Sequence, residues 1–234
     1  MSIKNFIYAE LSGWNMVEKI VFPLEVVFIT IISFYFKDNP IAILSSICGI
    51  FYTILAGKGK ISCYIFGLCS TLCYAYLAYV NNFFGNVLLN LLFYFPMQIV
   101  GMLKWKKHLN LENRVIIKTE LLKKERILYF IFTCLLAVVF SFVLARTGDL
   151  NPFADGITTV FSILGLILTV KRCIEQWFVW TIVNGISVFM WIRAFLGGSD
   201  CFALILMWGT YLVLGIYFWV VWNNELSMQK KKSF

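Results

Sequence analysis

Histidine occurs once in this chain, at His108, and aspartate and glutamate together occur only twelve times in 234 residues. One histidine and so few carboxylates exclude the usual ligand sets of a zinc site and leave little material for acid–base catalysis. The seven cysteines (48, 63, 69, 73, 134, 173 and 201) show no Cys-x-x-Cys spacing and fall mostly within apolar runs. They read as small packing residues, not as a metal site or disulfide framework. No Gly-x-x-x-x-Gly-Lys phosphate loop is present, so ATP is not used directly by this chain, and no cofactor is expected. A short apolar core with a small-residue cleavage site is also missing from the first 19 residues. Lys4, Asn5, Glu10, Glu18 and Lys19 interrupt it, so no cleavable leader is expected; Leu11 to Val21 reads as an interfacial lead-in to the first span.

What the chain has in abundance is apolar surface: 61% hydrophobic residues against 14% charged, with a mean hydropathy of +0.83. A soluble domain of this length has too little interior to hide so much. Runs long enough to span a bilayer stand near 20–36, 40–56, 62–80, 85–104, 127–145, 156–171, 175–195 and 201–222. With eight spans, both termini share one side, and only Lys37, Arg146 and Arg193 of the 20 basic residues fall opposite. The positive-inside rule places that common side in the cytoplasm. Dispersal of the basic residues over loop ends fits anionic lipid, not nucleic acid, as the source of the formal charge of +8.

The chain also repeats itself. Ser46-Ile47-Cys48-Gly49-Ile50-Phe51-Tyr52-Thr53 returns as Ser162-Ile163-Leu164-Gly165-Leu166-Ile167-Leu168-Thr169. Gly101-Met102-Leu103-Lys104-Trp105 returns as Gly215-Ile216-Tyr217-Phe218-Trp219. One span separates the copies, so both run in the same direction. The expected architecture is an all-α polytopic membrane protein of eight transmembrane helices. Two parallel three-helix repeats are joined by a linker helix (3+1+3), with one extra N-terminal helix. The divisions are 1–39, 40–105, 106–150 (a basic loop suited to a short amphipathic segment, then the linker helix), 151–222 and a basic tail at 223–234. A duplicated bundle of this kind is a transporter's ground plan, with the substrate site expected where the copies meet. Ser, Gly and Thr of the repeated motif share a helix face and read as a packing seam.

Span seven carries the most informative face. Trp177, Trp180, Asn184, Ser187 and Trp191 are spaced 3, 4, 3 and 4. Flat rings alternating with an amide and a hydroxyl suit a ligand with an aromatic ring and sugar hydroxyls; the rings stack, or add cation–π attraction if the ligand is positive. An interfacial aromatic belt with an interhelical amide bond is the competing explanation. Span four adds Asn86, Asn90, Tyr94 and Gln98 at steps of four, with Pro96 breaking the same helix; these line a cavity or act as polar glue. In span eight, Trp208 and Tyr211 stand at the repeat-related positions of Tyr94 and Met97, and close the pocket or pack. Glu25, the one carboxylate well inside a span, reads as a locally hydrogen-bonded or neutral acid, with a proton relay as the alternative, disfavoured because no Asp/Glu/His chain accompanies it.

Ser12-Gly13-Trp14-Asn15 with Glu18, the Trp177-x-x-Trp180 pair followed by Asn184, and the 3+1+3 layout together resemble the nicotinamide riboside transporter family, PnuC. The resemblance covers essentially the whole chain. It implies facilitated diffusion of nicotinamide riboside across the bacterial inner membrane, trapping by a cytoplasmic kinase, a SWEET-like fold and assembly as a homotrimer. By the same resemblance Trp177 and Trp180 enclose the nicotinamide ring and Asn184 bonds the ligand. Asn90 and Gln98 are added from position and polarity. Thiamine and riboflavin, also flat aromatics carried by related members, stay open as cargo. A scaffold or receptor whose aromatics merely pack is the alternative from another class, and an intramembrane enzyme lacks convergent catalytic groups.

Overall fold

The computed structural model describes residues 13–80, 87, 89–109, 115–146, 152–198 and 202–232. Its helices are α1 (Met16–Tyr35), α2 (Pro40–Gly57), α3 (Cys63–Val80), a π-helical turn (Leu89–Tyr94) that runs straight into α4 (Phe95–Lys106), α5 (Lys123–Ala145), α6 (Pro152–Lys171), α7 (Glu175–Leu196) and α8 (Phe202–Lys232). Among the described residues extended pairing is limited to two isolated bridges. The chain is an all-helical polytopic membrane protein, and α2, α5, α6 and α8 are each long and apolar enough to cross a bilayer. The fold divides into two units, Met1–Ile117 with Gly198–Met207, and Lys118–Gly197 with Trp208–Phe234.

In the first unit, α1 starts at a reciprocal cap. Asn15 Oδ1 accepts from the Glu18 N–H at 2.8 Å, and Glu18 Oε2 accepts from the Asn15 N–H at 2.8 Å. The same carboxylate holds Lys58 Nζ at 2.9 Å, tying the start of α1 to the C-cap of α2. Pro40 follows the Asn39 cap at the head of α2, where its missing N–H costs nothing. Helices α2 and α3 lie close because small side chains line their seam. Ser70 Oγ donates to Ser45 O at 2.9 Å, and the Cys48 and Cys69 sulfurs approach to 3.4 Å. Asp38 accepts from the Ala203 N–H at 3.0 Å and so caps the first turn of α8, which belongs to this unit.

The second unit is built on α5, α6 and α7 with the remainder of α8. On α5 the buried residues are Thr133, Ala137 and Ser141, a stripe of small side chains one turn apart, while Leu128, Phe132, Leu135 and Val139 are exposed to what must be lipid. A Cβ at Gly156 would collide with Ser141, so glycine sets the approach of α6 to α5. Ahead of α5, residues 115–122 are not helical. Thr119 donates its N–H to Arg172 O at 3.0 Å and accepts from the Ile174 N–H at 2.9 Å, clipping the linker to the α6–α7 turn. Glu175 fastens it further, accepting from the Leu121 N–H at 3.2 Å, and ties down α5 by accepting from Arg126 Nη2 at 2.6 Å. At that turn, outside the spans, burial pushes the Cys173 thiol up and lowers the Arg172 pKa. Two basic residues counted as loop-end charges, Lys60 and Lys118, are in fact buried. Lys118 pairs with Glu225 and stands 5.0 Å over the Trp222 ring.

Candidate ligand-binding site

The duplicated motif is duplicated in detail. Thr53 Oγ1 donates to Gly49 O at 3.1 Å on α2, and Thr169 Oγ1 donates to Gly165 O at 2.8 Å on α6. What each copy packs against differs. In the second unit Trp180, on α7, donates its indole N–H to Thr169 Oγ1 at 3.1 Å. Its ring lies so close to Gly165 that a Cβ there would come within 2.9 Å of Cε2. The first-copy counterpart of Trp180 is Gly67, and the space beside it is taken from α4 by the amide of Gln98: a Cβ on Gly67 would meet Oε1 at 2.7 Å.

Other residues of the α7 face turn elsewhere. Trp177 is buried in an aromatic cluster on α8, with ring centroids 5.3 Å from Phe218 and 5.5 Å from Trp222. Asn184 is buried against Gly215, whose missing side chain leaves room for the Asn184 and Thr181 side chains. Ser187 is buried one turn further along α7. Trp208 and Tyr211 meet edge to face at 5.5 Å on α8. Trp180 and Trp208 both flank one buried core cluster built around Val160, Phe161, Leu164, Val179 and Val183. In the first unit Asn90 and Gln98 are buried and Tyr94 is half-buried on the same helical line; Asn86 lies outside the described residues. Tyr64 has its ring 5.1 Å from Trp105 and is fully buried beside Gly101.

Several of these groups bury polar atoms without satisfying them. Among the described residues Trp177 Nε1, Trp208 Nε1 and Asn184 Oδ1 in the second unit have no hydrogen-bond partner, nor do Gln98 Oε1 and Tyr64 OH in the first. Each such atom costs about 1–3 kcal/mol if left unpaired; Trp177, Trp208, Asn184 and Gln98 are residues predicted to face a ligand, Tyr64 is not, and Ser33 and Ser46 elsewhere bury such oxygens as well.

A family model described as nicotinamide mononucleotide transporter matches residues 39–224. The chain is 32% identical over 218 residues to the nicotinamide riboside transporter PnuC of Neisseria mucosa, covering 91% of this chain and 83% of that one. It is 30% identical to the Haemophilus influenzae protein of the same name, covering 91% and 92%. A crystal structure described as that of the vitamin B3 transporter PnuC matches with a TM-score of 0.86 at 29% identity, over 97% of this chain and 99% of that one. The chain belongs to the PnuC family.

As a PnuC family member it is a membrane transporter, not an enzyme. Within the second unit the structure brings Trp180 and Trp208 onto one core and places Trp177 and Asn184 at two levels of the α7–α8 contact. The α7 face that looked continuous in sequence is therefore divided: Trp180 leans on α6, whereas Trp177, Thr181 and Asn184 face α8. Sequence reasoning missed Tyr64 and Thr181 as members of this polar set. Tyr64 carried a signal, being the repeat counterpart of Trp177, and the two are alike in being buried aromatics with an unpaired donor. Thr181 carried none, because a threonine on an apolar helix is ordinary.

Proposed function

We propose that this chain carries nicotinamide riboside by facilitated diffusion across a bacterial inner membrane. The observation that carries the reading is the pairing, in one unit, of a fixed indole ring with buried, unpaired donors and an acceptor: Trp180 held by Thr169, and Trp177 Nε1, Trp208 Nε1 and Asn184 Oδ1 without partners among the described residues. A flat pyridinium ring matches the indole face by stacking and cation–π attraction. The carboxamide and ribose hydroxyls match the free polar atoms. The proposed ligand contacts within the second unit are Trp177, Trp180, Asn184, Ser187, Trp208 and Tyr211; within the first unit Asn90, Tyr94 and Gln98 are candidates by position and polarity. None of the nine is charged. A mononucleotide's phosphate would call for Arg or Lys among them, so the residue set favours the nucleoside over the nucleotide.

The wider architecture is proposed with it. All eight helical segments are spans, α2–α4 and α6–α8 are parallel repeats, α5 links them, and both termini are cytoplasmic. The matching Thr-to-Gly bonds of α2 and α6 and the inward bias of the basic residues support this. The test is uptake of labelled nicotinamide riboside by proteoliposomes with no ion gradient, with unlabelled nicotinamide riboside, nicotinamide mononucleotide, thiamine and riboflavin as competitors. Uptake blocked by nicotinamide riboside alone is expected. Blockage by thiamine or riboflavin at similar concentrations would reassign the cargo, and a strict need for a proton or sodium gradient would sink facilitated diffusion.

A further inference from the structure

We propose that Thr169 and Gly165 are the positioning residues of the ligand site, fixing the Trp180 ring in the orientation in which it stacks on the ligand; this rests on the reading of Trp180 as a ligand contact. A tryptophan side chain has two free torsions, and a ring that must be ordered at the moment of binding charges that entropy against affinity. Here the ring is ordered beforehand from two sides. Trp180 Nε1 donates to Thr169 Oγ1 at 3.1 Å, and Thr169 Oγ1 in turn donates to Gly165 O at 2.8 Å. The hydroxyl is thereby aimed by its own helix, since donating to the carbonyl one turn back leaves its lone pairs for the indole, and the two bonds polarise each other. Thr169 is buried, so water does not compete for the bond, while Trp180 itself is only half-buried. Gly165 supplies the second side: any side chain there would push the ring off α6, with the Cβ of alanine 2.9 Å from Cε2 and 3.2 Å from Cδ2 and Cζ2.

The first copy shows that this is not a property of the motif alone. Thr53 makes the same bond to Gly49, yet the residue in place of Trp180 is Gly67. The duplicated seam has therefore acquired a second task in one copy only. The three indoles proposed as ligand contacts, Trp177, Trp180 and Trp208, divide the work accordingly. Trp180 spends its N–H on the scaffold and offers a ring face, whereas the Trp177 and Trp208 N–H groups have no partner among the described residues.

The experiment uses the full-length transporter labelled with 5-fluorotryptophan, the Trp180 resonance being assigned by its loss in Trp180→Phe. Thr169→Val keeps the shape and removes the hydroxyl, and should shift or broaden that one resonance. It should raise the KM for nicotinamide riboside about fivefold, as expected for one lost hydrogen bond, with a smaller change in the rate at saturation. Thr169→Ser should restore both readouts, Gly165→Ala should perturb both more strongly, and Thr53→Val should leave both unchanged. A Trp180 resonance unmoved in Thr169→Val, or a KM change without it, overturns the positioning role. A resonance that moves in Thr169→Val and Gly165→Ala while KM stays constant in both overturns instead the placement of Trp180 in the ligand site. Failure of Thr169→Ser to rescue would likewise count against the hydroxyl.

Discussion

The amide of Asn184 is buried at the level of Gly215, and its Oδ1 has no partner among the described residues. A residue that served only to join helices would have that oxygen bonded across the seam, as Ser70 does with Ser45. Two explanations of Asn184 therefore predict opposite signs for one substitution. If the amide is interhelical glue, Asn184→Leu loses a bond and lowers stability. If it waits for a ligand, the leucine relieves an unpaired buried acceptor, and the ligand-free protein gains about 1 kcal/mol while binding is lost by tenfold or more. Thermal unfolding in detergent, with and without nicotinamide riboside, separates them: the expected variant unfolds at the same or a higher temperature alone and gains nothing from ligand. At this scale the sequence indicated which polar residues would be buried, as for Asn184 and Gln98. It was silent on pairing. Nothing in the string indicates that Thr169 is spent on Trp180, since the two stand on different helices and the same motif without an indole occurs at Thr53.

Element geometry decides whether the polar residues of the π-helical turn and α4 form a line at all. Asn90, Tyr94 and Gln98 recur every four residues, and in a regular α-helix, at about 100° per residue, each step of four drifts by about 40°. Asn90 and Gln98 would then point about 80° apart. The π-helical turn Leu89–Tyr94 changes this. Its wider winding, about 82° per residue, brings the two back to within about 10° of one line. Pro96 is the local cause: it has no N–H to give the carbonyl four residues back, so the register that a normal turn would need is already broken there. The stripe was visible in sequence, but not the device that straightens it, because a proline kink and a π turn look alike in a string. Pro96→Ala should let the segment relax to α-helix. The expected variant is more stable to heat, by up to about 3 kcal/mol, yet rotates Asn90 away and takes up nicotinamide riboside about tenfold more weakly. Unchanged transport kinetics with raised stability would mean that the π turn is incidental to the site.

For the molecule as a whole, the question is what moves with the ligand. Nicotinamide riboside carries a fixed positive charge on its pyridinium nitrogen, and none of the nine proposed contact residues is charged. Glu25, the one acid well inside a span, is half-buried on α1 in the first unit and interacts with groups of the protein. No residue of the proposed set neutralises the cargo, so each crossing should transfer one net charge. A carrier of this kind is uncoupled to any ion but not indifferent to voltage. Moving one charge through 100 mV is worth about 2.3 kcal/mol, which at equilibrium concentrates a cation roughly fiftyfold on the negative side. Accumulation alone therefore does not diagnose proton coupling. In proteoliposomes loaded with potassium, valinomycin should drive labelled nicotinamide riboside inward against its gradient. A pH gradient clamped at zero potential should do nothing, and Glu25→Gln should leave both results intact. Uptake that follows the pH gradient, or that disappears in Glu25→Gln while the protein stays folded, would return Glu25 to the role of a proton relay and make the carrier a symporter.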